Sequence, residues 1–373
     1  MADLAPPQRS RARLTGWPTR LIASRGFQRW AAQFPLTRRL VRREGEALFD
    51  LLAGFCHSQV LMALVQFDIP GRLMNGPQTP QQLAFACAVP EDRMAVLLRA
   101  AMALKLLKRT RGGRVKLSQK GAALVGVPGL SEMILHHDVL YRDLADPAAF
   151  FRGEVETELA GFWPYVFGGE MPDEQAAIYS DLMAQSQVLV AEDTLRVLGL
   201  KGVSHLMDVG GGTGTFLAAV GAAYPGMRLT LFDLPQVVDP ARARFACNGM
   251  SDRAEIVPGS FRRDSLPTGA DAISLVRVLY DHSDETVCSL LAKCHAALPP
   301  GGQLIISEPM TGGNAPAKAG DVYFALYTMA MRTGKARSRE EIAALCEQAG
   351  FDVVATPRPA RPFVTSCLKV RKR

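Results

Sequence analysis

The pattern of apolar and polar positions divides the chain into a largely helical first half and a second half in which strands and helices alternate. Beyond position 204 come five short apolar runs, separated by amphipathic or capped helical stretches, at 205–210, 229–235, 254–260, 272–279 and 303–309. This alternation is typical of a parallel sheet with helices on both faces. Two last runs, 352–356 and 363–370, flank a proline-rich stretch and suit a closing antiparallel hairpin. The second half therefore predicts an α/β domain.

The segment Leu48–Phe67 is apolar on nearly every face of a helix. Such a helix requires apolar contacts all round, and the sequence leaves open whether its own subunit or a second copy supplies them. Thr79 is a candidate N-cap of a short helix, and Pro90 is expected at the first position of a second one. A turn at 111–113 then joins two short strands. Two helices followed by a hairpin are typical of a winged-helix module.

This winged helix is not expected to bind nucleic acid. A helix that reads bases needs polar side chains on its exposed face. The second helix instead carries apolar ones, among them Met94, Val96, Leu97, Leu98 and Met102. We therefore predict a structural or dimerising module.

The net charge of +7 is concentrated at the N-terminus. Residues 1–43 carry ten arginines and one acidic residue, which gives this arm a charge of +9 and the remaining chain −2. The arm is either a solvated extension lying on the body or a partner subunit, or a segment that contacts anionic lipid. Nucleic acid is a third alternative, which we do not predict.

Composition excludes several classes of protein. With 48% hydrophobic and 21% charged residues, the chain is not mainly disordered. It has no uninterrupted apolar run of about 18 residues, which argues against a membrane-spanning helix. No secretory signal is visible. The seven cysteines form no C-x-x-C pair, so we expect reduced thiols in the cytoplasm rather than disulfides or structural zinc.

The strongest chemical signal is the string DVGGGTG, which runs from Asp208 through Gly210 and Gly212 to Gly214 between a predicted strand and helix. Glycines here let the backbone approach a ligand closely. The spacing does not fit G-x-G-x-x-G, and no lysine follows as a phosphate loop requires. Nineteen residues further on, Asp233 ends the next strand, where a carboxylate accepts both hydroxyls of a ribose. The predicted ligand is a nucleoside without a diphosphate, S-adenosylmethionine.

These motifs together resemble the small-molecule O-methyltransferase family. DVGGGTG, LFDLP, PGSF, VRVLYDHSDE, LPPGGQLIISEPM and GKARSREEI occur in that family's order, and the resemblance covers about residues 44–369. It implies a Rossmann-like class I methyltransferase domain, preceded by a mostly helical winged-helix dimerisation domain, and hence a homodimer. The corresponding segments are a basic arm (1–43), the dimerisation domain (44–127), a helical connector that covers a pocket (128–200) and the methyltransferase domain (201–373).

Within the family, the sequence is most similar to the branch that acts on acyclic carotenoids of the demethylspheroidene or hydroxyneurosporene type. The similarity is carried by RVLYDH, by the segment 321–338 and by the arginine-rich start. That branch implies methylation of a 1-hydroxy group on a C40 chain. Besides the glycines and aspartates named above, the resemblance implies donor contacts from Met183, Leu234, Ser260, Phe261 and Arg277. Aromatic and histidine side chains are expected to line an apolar substrate pocket: His137, Trp163, Phe167, Tyr323 and Tyr327. No metal is expected.

The family's histidine general base does not carry over to this sequence. Tyr280 occupies its position, His282 stands where the family has tryptophan, Ala336 replaces a supporting glutamate, and Glu308 is retained. An aliphatic alcohol holds its proton far more strongly than a phenol, so no side chain deprotonates it beforehand. Alignment with late proton removal is expected instead. Tyr280 would hydrogen-bond the hydroxyl, and His282 or Glu308 would accept the proton.

Two other functions stay open at this point. One is methylation of another apolar alcohol, a phenol or a tetrapyrrole. The other, from a different class, is a winged-helix regulator that senses S-adenosylmethionine, which the apolar second helix does not favour. The expected location is the cytoplasm, with peripheral contact at the inner or intracytoplasmic membrane.

Overall fold

The computed structural model describes residues 16–161 and 186–373. The chain forms two compact units, one ending at Gly121 and the other beginning at Ala122. This division falls within the helix Gln119–Gly126, a few residues before the predicted boundary at 127/128. The other early boundary, at 43/44, falls inside the continuous helix Arg38–Gln66. The basic arm thus leads into the first unit without a break in the helix.

The first unit contains six helices before its hairpin, within the described residues: Trp17–Ile22, Arg25–Gln33, Arg38–Gln66, Ile69–Met74, Pro80–Ala86 and Glu91–Ala103. Strands β1 (Leu107–Arg109) and β2 (Val115–Leu117) pair antiparallel, as the turn at 111–113 predicts. Thr79 forms a capping box with Gln82, which confirms its role as N-cap. Pro90 is itself the N-cap of the next helix, one position earlier than predicted.

The helix Arg38–Gln66 begins ten residues earlier than the apolar run that predicts it, and the first part of that run, residues 48–52, is exposed. Its buried residues are Met62 and Leu64. Five large apolar side chains are between 64% and 74% exposed: Leu48, Phe49, Leu51, Leu52 and Phe55. By length and composition alone, this helix would be able to cross a membrane. Its apolar face therefore needs a partner outside the subunit.

The second unit is built on a seven-stranded sheet. Its strands are β3 (His205–Val209), β4 (Arg228–Asp233), β5 (Ala254–Pro258), β6 (Ala272–Val276), β7 (Gln303–Glu308), β8 (Phe351–Ala355) and β9 (Ser366–Lys372). The order across the sheet is β5-β4-β3-β6-β7-β9-β8. The first five strands pair parallel, while β9 runs antiparallel to both β7 and β8. The predicted parallel sheet and closing hairpin are both present.

Helices cover both faces of this sheet, which explains the continuous apolar runs. Successive residues of β7 alternate between two buried clusters, with Leu304 and Ile306 in one and Ile305 in the other. The described helices of this unit are Leu130–Asp143, Pro147–Phe151, Glu158–Gly161, 186–197, Thr215–Ala223, Pro235–Cys247, Asp284–Ala297, Ala325–Ala330 and Arg339–Gln348. Ser338 caps the last of them through a capping box with Glu341, as predicted.

The strand order reverses at β3, since β4 and β5 lie on one side of it and β6 and β7 on the other. In doubly wound sheets, ligands bind at the carboxyl ends of the strands next to such a reversal. The polar segments of the sequence meet at this edge. Asp233 ends β4, the glycine segment follows β3, Arg277 follows β6 and Glu308 ends β7.

Candidate functional site

The glycine segment after β3 forms a tight turn into the helix Thr215–Ala223. Gly210, Gly212 and Gly214 all have positive φ angles, of 71°, 56° and 73°. A Cβ at Gly210 would lie 2.9 Å from the Val278 side chain, and one at Gly214 would lie 2.7 Å from the ring of Phe245. A Cβ at Gly212 would instead point into open space. Gly212 is thus the glycine whose backbone faces open space at the carboxyl edge of the sheet, beside Asp233; this space is called the crevice below.

Asp233 lies beside this turn, as its spacing from the glycines predicts. Its Oδ2 accepts a hydrogen bond from the N–H of Gly212 at 2.6 Å, and its Oδ1 accepts one from Leu234 at 2.7 Å. These bonds lower the pKa of the carboxyl, while burial raises it, and burial dominates. Each carboxylate oxygen keeps a second lone pair, so Asp233 can still accept hydrogen bonds from a ligand diol.

Asp208 lies beneath the turn rather than in the crevice. It is fully buried, and the hydroxyl of Ser274 donates to its Oδ1 at 2.6 Å. A Cβ at Gly211 would collide with its Oδ2, which has no hydrogen-bond partner in the described parts of the chain. Burial raises the pKa of Asp208 to about 7. Asp208 is predicted from the sequence to contact the ligand, but its position is that of a side chain that supports the loop from below.

The other predicted donor contacts lie around the same crevice. Leu234 is the N-cap of the helix Pro235–Cys247, and the N–H of Ser260 donates to Asp264. Arg277 has a left-handed backbone, with φ of 58°, and its guanidinium donates to Ser186 at 2.8 Å. Met183 lies outside the described residues, as do Trp163 and Phe167 of the predicted pocket.

Tyr280 lies in a short 3-10 turn, Leu279–Asp281, directly after β6. Its ring is buried, and its hydroxyl accepts a hydrogen bond from Arg277 at 3.2 Å. Burial raises the pKa of this phenol, so it stays protonated at neutral pH. The structure thus gives Tyr280 the charged neighbour that a positioning role needs.

Glu308 holds this turn from below. Its Oε1 accepts hydrogen bonds from the N–H groups of Val278 and Leu279, both at 2.8 Å. Burial raises its pKa to about 7. These contacts with the backbone immediately before Tyr280 indicate that Glu308 fixes the position of the tyrosine.

His282 makes its contacts on another side. Its Nδ1 lies 3.1 Å from the guanidinium of Arg262, its carbonyl accepts from Arg337, and its ring packs edge-on against Phe261. Burial, followed by the two guanidinium charges, lowers its pKa to about 4. A neutral imidazole that accepts from arginine at Nδ1 carries its proton on Nε2, and therefore has no free lone pair. This arrangement does not suit the predicted role as proton acceptor.

Two histidine–tyrosine pairs lie within the electrostatic influence of Arg277, and the sequence predicts only part of them. Nε2 of His137 lies 2.7 Å from the hydroxyl of Tyr323, and Nε2 of His136 lies 2.9 Å from that of Tyr327. The histidines come from the helix Leu130–Asp143, and the tyrosines from a π-turn and the helix that follows it. The predicted pocket residues His137, Tyr323 and Tyr327 are thus brought together. The role of His136 as a hydrogen-bond partner was missed, since its partner lies 191 residues away.

Comparisons with known proteins agree with this geometry. Residues 141–352 match the family model of the O-methyltransferase domain, and residues 49–126 match that of the O-methyltransferase dimerisation domain. The chain is 54% identical over 370 residues to a demethylspheroidene O-methyltransferase of Cereibacter sphaeroides, covering 99% of this chain and 98% of that protein. A second demethylspheroidene O-methyltransferase, of Rhodobacter capsulatus, is 53% identical over 95% of this chain and 89% of its own length.

A solved structure with the same fold is human N-acetylserotonin methyltransferase in complex with S-adenosylmethionine. The TM-score is 0.73 at 23% identity, covering 88% of this chain and 97% of that one. The predicted fold class is therefore confirmed, as are the resemblance to O-methyltransferases and the enzymatic character of the chain. The model of the dimerisation domain matches the part of the chain with the winged-helix pattern, and the model of the O-methyltransferase domain matches the part with the glycine turn. The protein belongs to the O-methyltransferase family and has a class I methyltransferase fold preceded by that family's dimerisation domain.

Proposed function

We propose that this enzyme transfers a methyl group from S-adenosylmethionine to the 1-hydroxy group of an acyclic carotenoid. The observation that carries the donor assignment is Asp233, which accepts from Gly212 at the open side of the turn. Asp233 would bind the ribose hydroxyls, and the exposed backbone of Gly212 would lie against the nucleoside. The human relative's structure contains the same donor. The short turn has no lysine, which suits a ligand without a diphosphate.

The substrate assignment rests on the two relatives that share more than half of their residues with this chain over nearly its whole length. Both are named for demethylspheroidene. The hydroxyls of the tyrosines and the ring nitrogens of the histidines near the crevice can form hydrogen bonds with a single substrate hydroxyl. An uncharged polyene end needs no charged side chain to bind it.

The chain's own residues would act mainly by alignment. When bound, the donor supplies a methyl group that its sulfonium already activates. Arg277 donates to the Tyr280 hydroxyl, and the side chain of Asp281 forms a hydrogen bond with the same hydroxyl. Tyr280 would turn its proton from Asp281 to the substrate oxygen and so orient it, and Glu308 would keep the tyrosine in place. Holding the reacting atoms in line is the largest contribution available for an alcohol that cannot be ionised beforehand.

The test is methyl transfer from a labelled donor to a panel of hydroxycarotenoids, simple phenols and a tetrapyrrole. We expect turnover with 1-hydroxy acyclic carotenoids and at least 100-fold lower kcat/KM with the phenols. Preferred turnover of a phenol or a tetrapyrrole would contradict the proposed substrate but leave the donor assignment in place. Donor binding is measured separately by calorimetry without any acceptor.

We also propose that the chain forms a homodimer through the exposed face of the helix Arg38–Gln66. The family's dimerisation domain begins at residue 49, within the stretch where the large apolar side chains are exposed. Leu48, Leu52 and Phe55 follow each other at i, i+4 and i+7, so they lie on one face of the helix. A second copy would cover this face.

A peripheral membrane contact of this cytoplasmic enzyme is the third part of the proposal. The helix Arg25–Gln33 places a stacked pair of aromatic rings, Trp30 and Phe34, at 4.9 Å, and Trp30 is 51% exposed. Trp17, in the preceding helix, is 61% exposed. Tryptophan and arginine on short amphipathic helices are typical of segments that lie in the interface of an anionic membrane. A polyene substrate dissolved in lipid gives such contact a purpose.

A further inference from the structure

We propose that Tyr323 and His137 form a proton relay that receives the proton of the substrate hydroxyl during methyl transfer. This inference rests on the proposed function and adds the proton acceptor that the family's replaced histidine leaves open. The pair lies outside the β6 turn in which that histidine would stand, on the helix Leu130–Asp143 and the π-turn Lys318–Phe324.

Nε2 of His137 lies 2.7 Å from the hydroxyl of Tyr323. Because burial holds the pKa of Tyr323 well above neutral, the phenol keeps its proton at rest and can donate it to this nitrogen. Nε2 then acts as the acceptor, and the neutral imidazole carries its proton on Nδ1, which is the tautomer that the relay requires. The backbone carbonyl of Ile134 favours the protonated imidazole, although burial lowers the pKa of His137 overall.

Tyr323 lies within the electrostatic field of the cation that follows β6. The guanidinium of Arg277, which donates to the Tyr280 hydroxyl, also lowers the pKa of Tyr323 by its charge, although burial raises the overall value to about 12. Both phenols are therefore within the field of one cation at the end of β6. Tyr323 stays protonated at rest, and the cation favours negative charge on its oxygen as the proton leaves.

The neighbouring pair, His136 with Tyr327, is less suited to the same role. Tyr327 is buried in an apolar cluster with Leu140, Phe150 and Leu159, whereas Tyr323 keeps part of its surface accessible. Burial lowers the pKa of both histidines, that of His136 to about 4. The accessible surface of Tyr323 therefore favours the His137–Tyr323 pair as the proton path.

Methyl transfer is coupled to proton transfer along the pair. A C–O bond forms between the substrate oxygen and the methyl carbon, while the C–S bond breaks and its electron pair stays on sulfur. The proton of the substrate hydroxyl passes to the oxygen of Tyr323, whose own proton passes to Nε2 of His137. The imidazolium formed then loses a proton to solvent after the product leaves. No oxidant, reductant or metal enters the step.

The first test needs no substrate. Nitrogen-15 NMR of histidine-labelled enzyme should assign His137 as the Nδ1–H tautomer, with an Nε2 shift that changes in Tyr323→Phe. A proton on Nε2 in the wild type would overturn the relay. The spectra are recorded over a series of pH values, because four titratable or charged groups face this pair from its own and neighbouring elements: His136, Tyr141, Arg277 and Tyr327.

The second test is kinetic. We expect His137→Gln and Tyr323→Phe each to lower kcat by about 10²–10⁴-fold, and the double variant to lose no more than either one, because the two side chains act as a unit. His137→Gln should also remove the acid limb of the pH–rate profile. The control is His295→Gln, on the helix Asp284–Ala297 and packed against Phe351 away from the carboxyl edge of the sheet; it is expected to lose less than tenfold and keep that limb.

Two kinetic outcomes would overturn the relay. One is a His137→Gln variant within threefold of wild-type turnover, and the other is multiplicative losses in the double variant. Donor affinity and thermal unfolding of each variant separate loss of folding from loss of chemistry. If the wild type methylates a different alcohol from the one proposed, the substrate assignment is wrong. The relay is then tested by measuring the same variants with that alcohol.

Discussion

At the residue scale, the site depends on carboxylates that hold backbone N–H groups in place. Asp233 accepts from Gly212 and Leu234, and Glu308 accepts from Val278 and Leu279. Burial raises the pKa of both carboxyl groups, and these hydrogen bonds lower it. A buried carboxylate with several N–H donors fixes its loop, because leaving those donors unpaired would cost about 1–3 kcal/mol each.

The first prediction concerns donor binding. Asp233→Ala removes the acceptor for two ribose hydroxyls and should weaken S-adenosylmethionine by about 2–4 kcal/mol, roughly 30- to 1000-fold in Kd. Calorimetry measures this directly. Asp239→Ala is the matched control, since this aspartate is 86% exposed on the adjoining helix. Equal affinity in the Asp233→Ala variant and the control would remove Asp233 from the donor site.

The second prediction concerns the two side chains at the family's base position. Tyr280→Phe keeps the ring and should lower turnover by about 10–100-fold, through loss of one hydrogen bond in the transition state. His282→Asn keeps an acceptor for Arg262 and should change turnover less than tenfold, because the imidazole has no free lone pair. Steady-state kinetics over pH 5 to 9 tests both. A large loss with His282→Asn alone would restore His282 as the proton acceptor.

At the scale of single elements, exposed apolar surface marks the parts of the first unit that need partners. The helix Arg38–Gln66 exposes one apolar face, and the helix Arg25–Gln33 exposes aromatic rings beside arginines. The contacts expected for the two surfaces differ. A continuous aliphatic face suits a second protein chain, whereas isolated aromatics with cations suit a lipid interface.

The third prediction is that the apolar face of the long helix holds two copies together. Leu52→Glu combined with Phe55→Glu should convert a dimer into a monomer at micromolar concentration, as measured by light scattering. Glu46→Gln, on the same helix, is the control, because Glu46 pairs only with the exposed Arg42 in the described structure. A wild type that is monomeric would contradict the proposed homodimer.

The fourth prediction is that the arm contacts anionic lipid. Removal of residues 1–36 leaves the helix Arg38–Gln66 complete, and should weaken co-sedimentation with anionic vesicles while leaving turnover of detergent-solubilised substrate within twofold. Each basic residue near the surface contributes about 1 kcal/mol at low salt, and the effect falls as salt screens it. Trp17→Ala with Trp30→Ala separates the aromatic contribution from the charge. Equal vesicle binding by the full and shortened chains would exclude this contact.

At the scale of the whole molecule, the chain consists of two compact units, and the buried acids belong to the second. Glu308 and Asp208 both lie under the carboxyl edge of the sheet, with pKa values of about 7. Each carries one oxygen without a hydrogen-bond partner among the described residues. Ionising such a group costs folding stability, since the unfolded chain solvates the charge freely.

The fifth prediction follows from that raised pKa. Between pH 4.5 and about 7, folded Glu308 holds a proton that the unfolded chain has lost, so its contribution to stability falls as pH rises. Glu308→Gln keeps the acceptor for both N–H groups and removes the titration. Its stability relative to wild type should increase across this window and level off above it. Urea unfolding at pH 4.5, 6 and 8 measures the difference, and a constant or decreasing difference would contradict the pKa shift.

Much of the fold and part of the site are determined by the sequence itself. Buried runs that alternate with helices predict the parallel sheet, because strands covered on both faces are apolar along nearly their whole length. The capping boxes at Thr79 and Ser338 are also readable, since both partners lie within three residues. The glycine turn and Asp233 can be joined because adjacent parallel strands end at the same edge of the sheet. These signals are either local in the sequence or depend only on which strands are neighbours in the sheet.

The tertiary structure alone decided which side chains meet across the crevice. Asp208 and Asp233 are both aspartates near strand ends, but only the packing of Ser274 and Gly211 puts Asp208 beneath the loop. His282 looked like a base from its position in the motif, yet Arg262, twenty residues away, occupies its Nδ1. His137 and Tyr323 are separated by 186 residues. Such pairs depend on how helices pack on the sheet, which no short-range pattern in the sequence encodes.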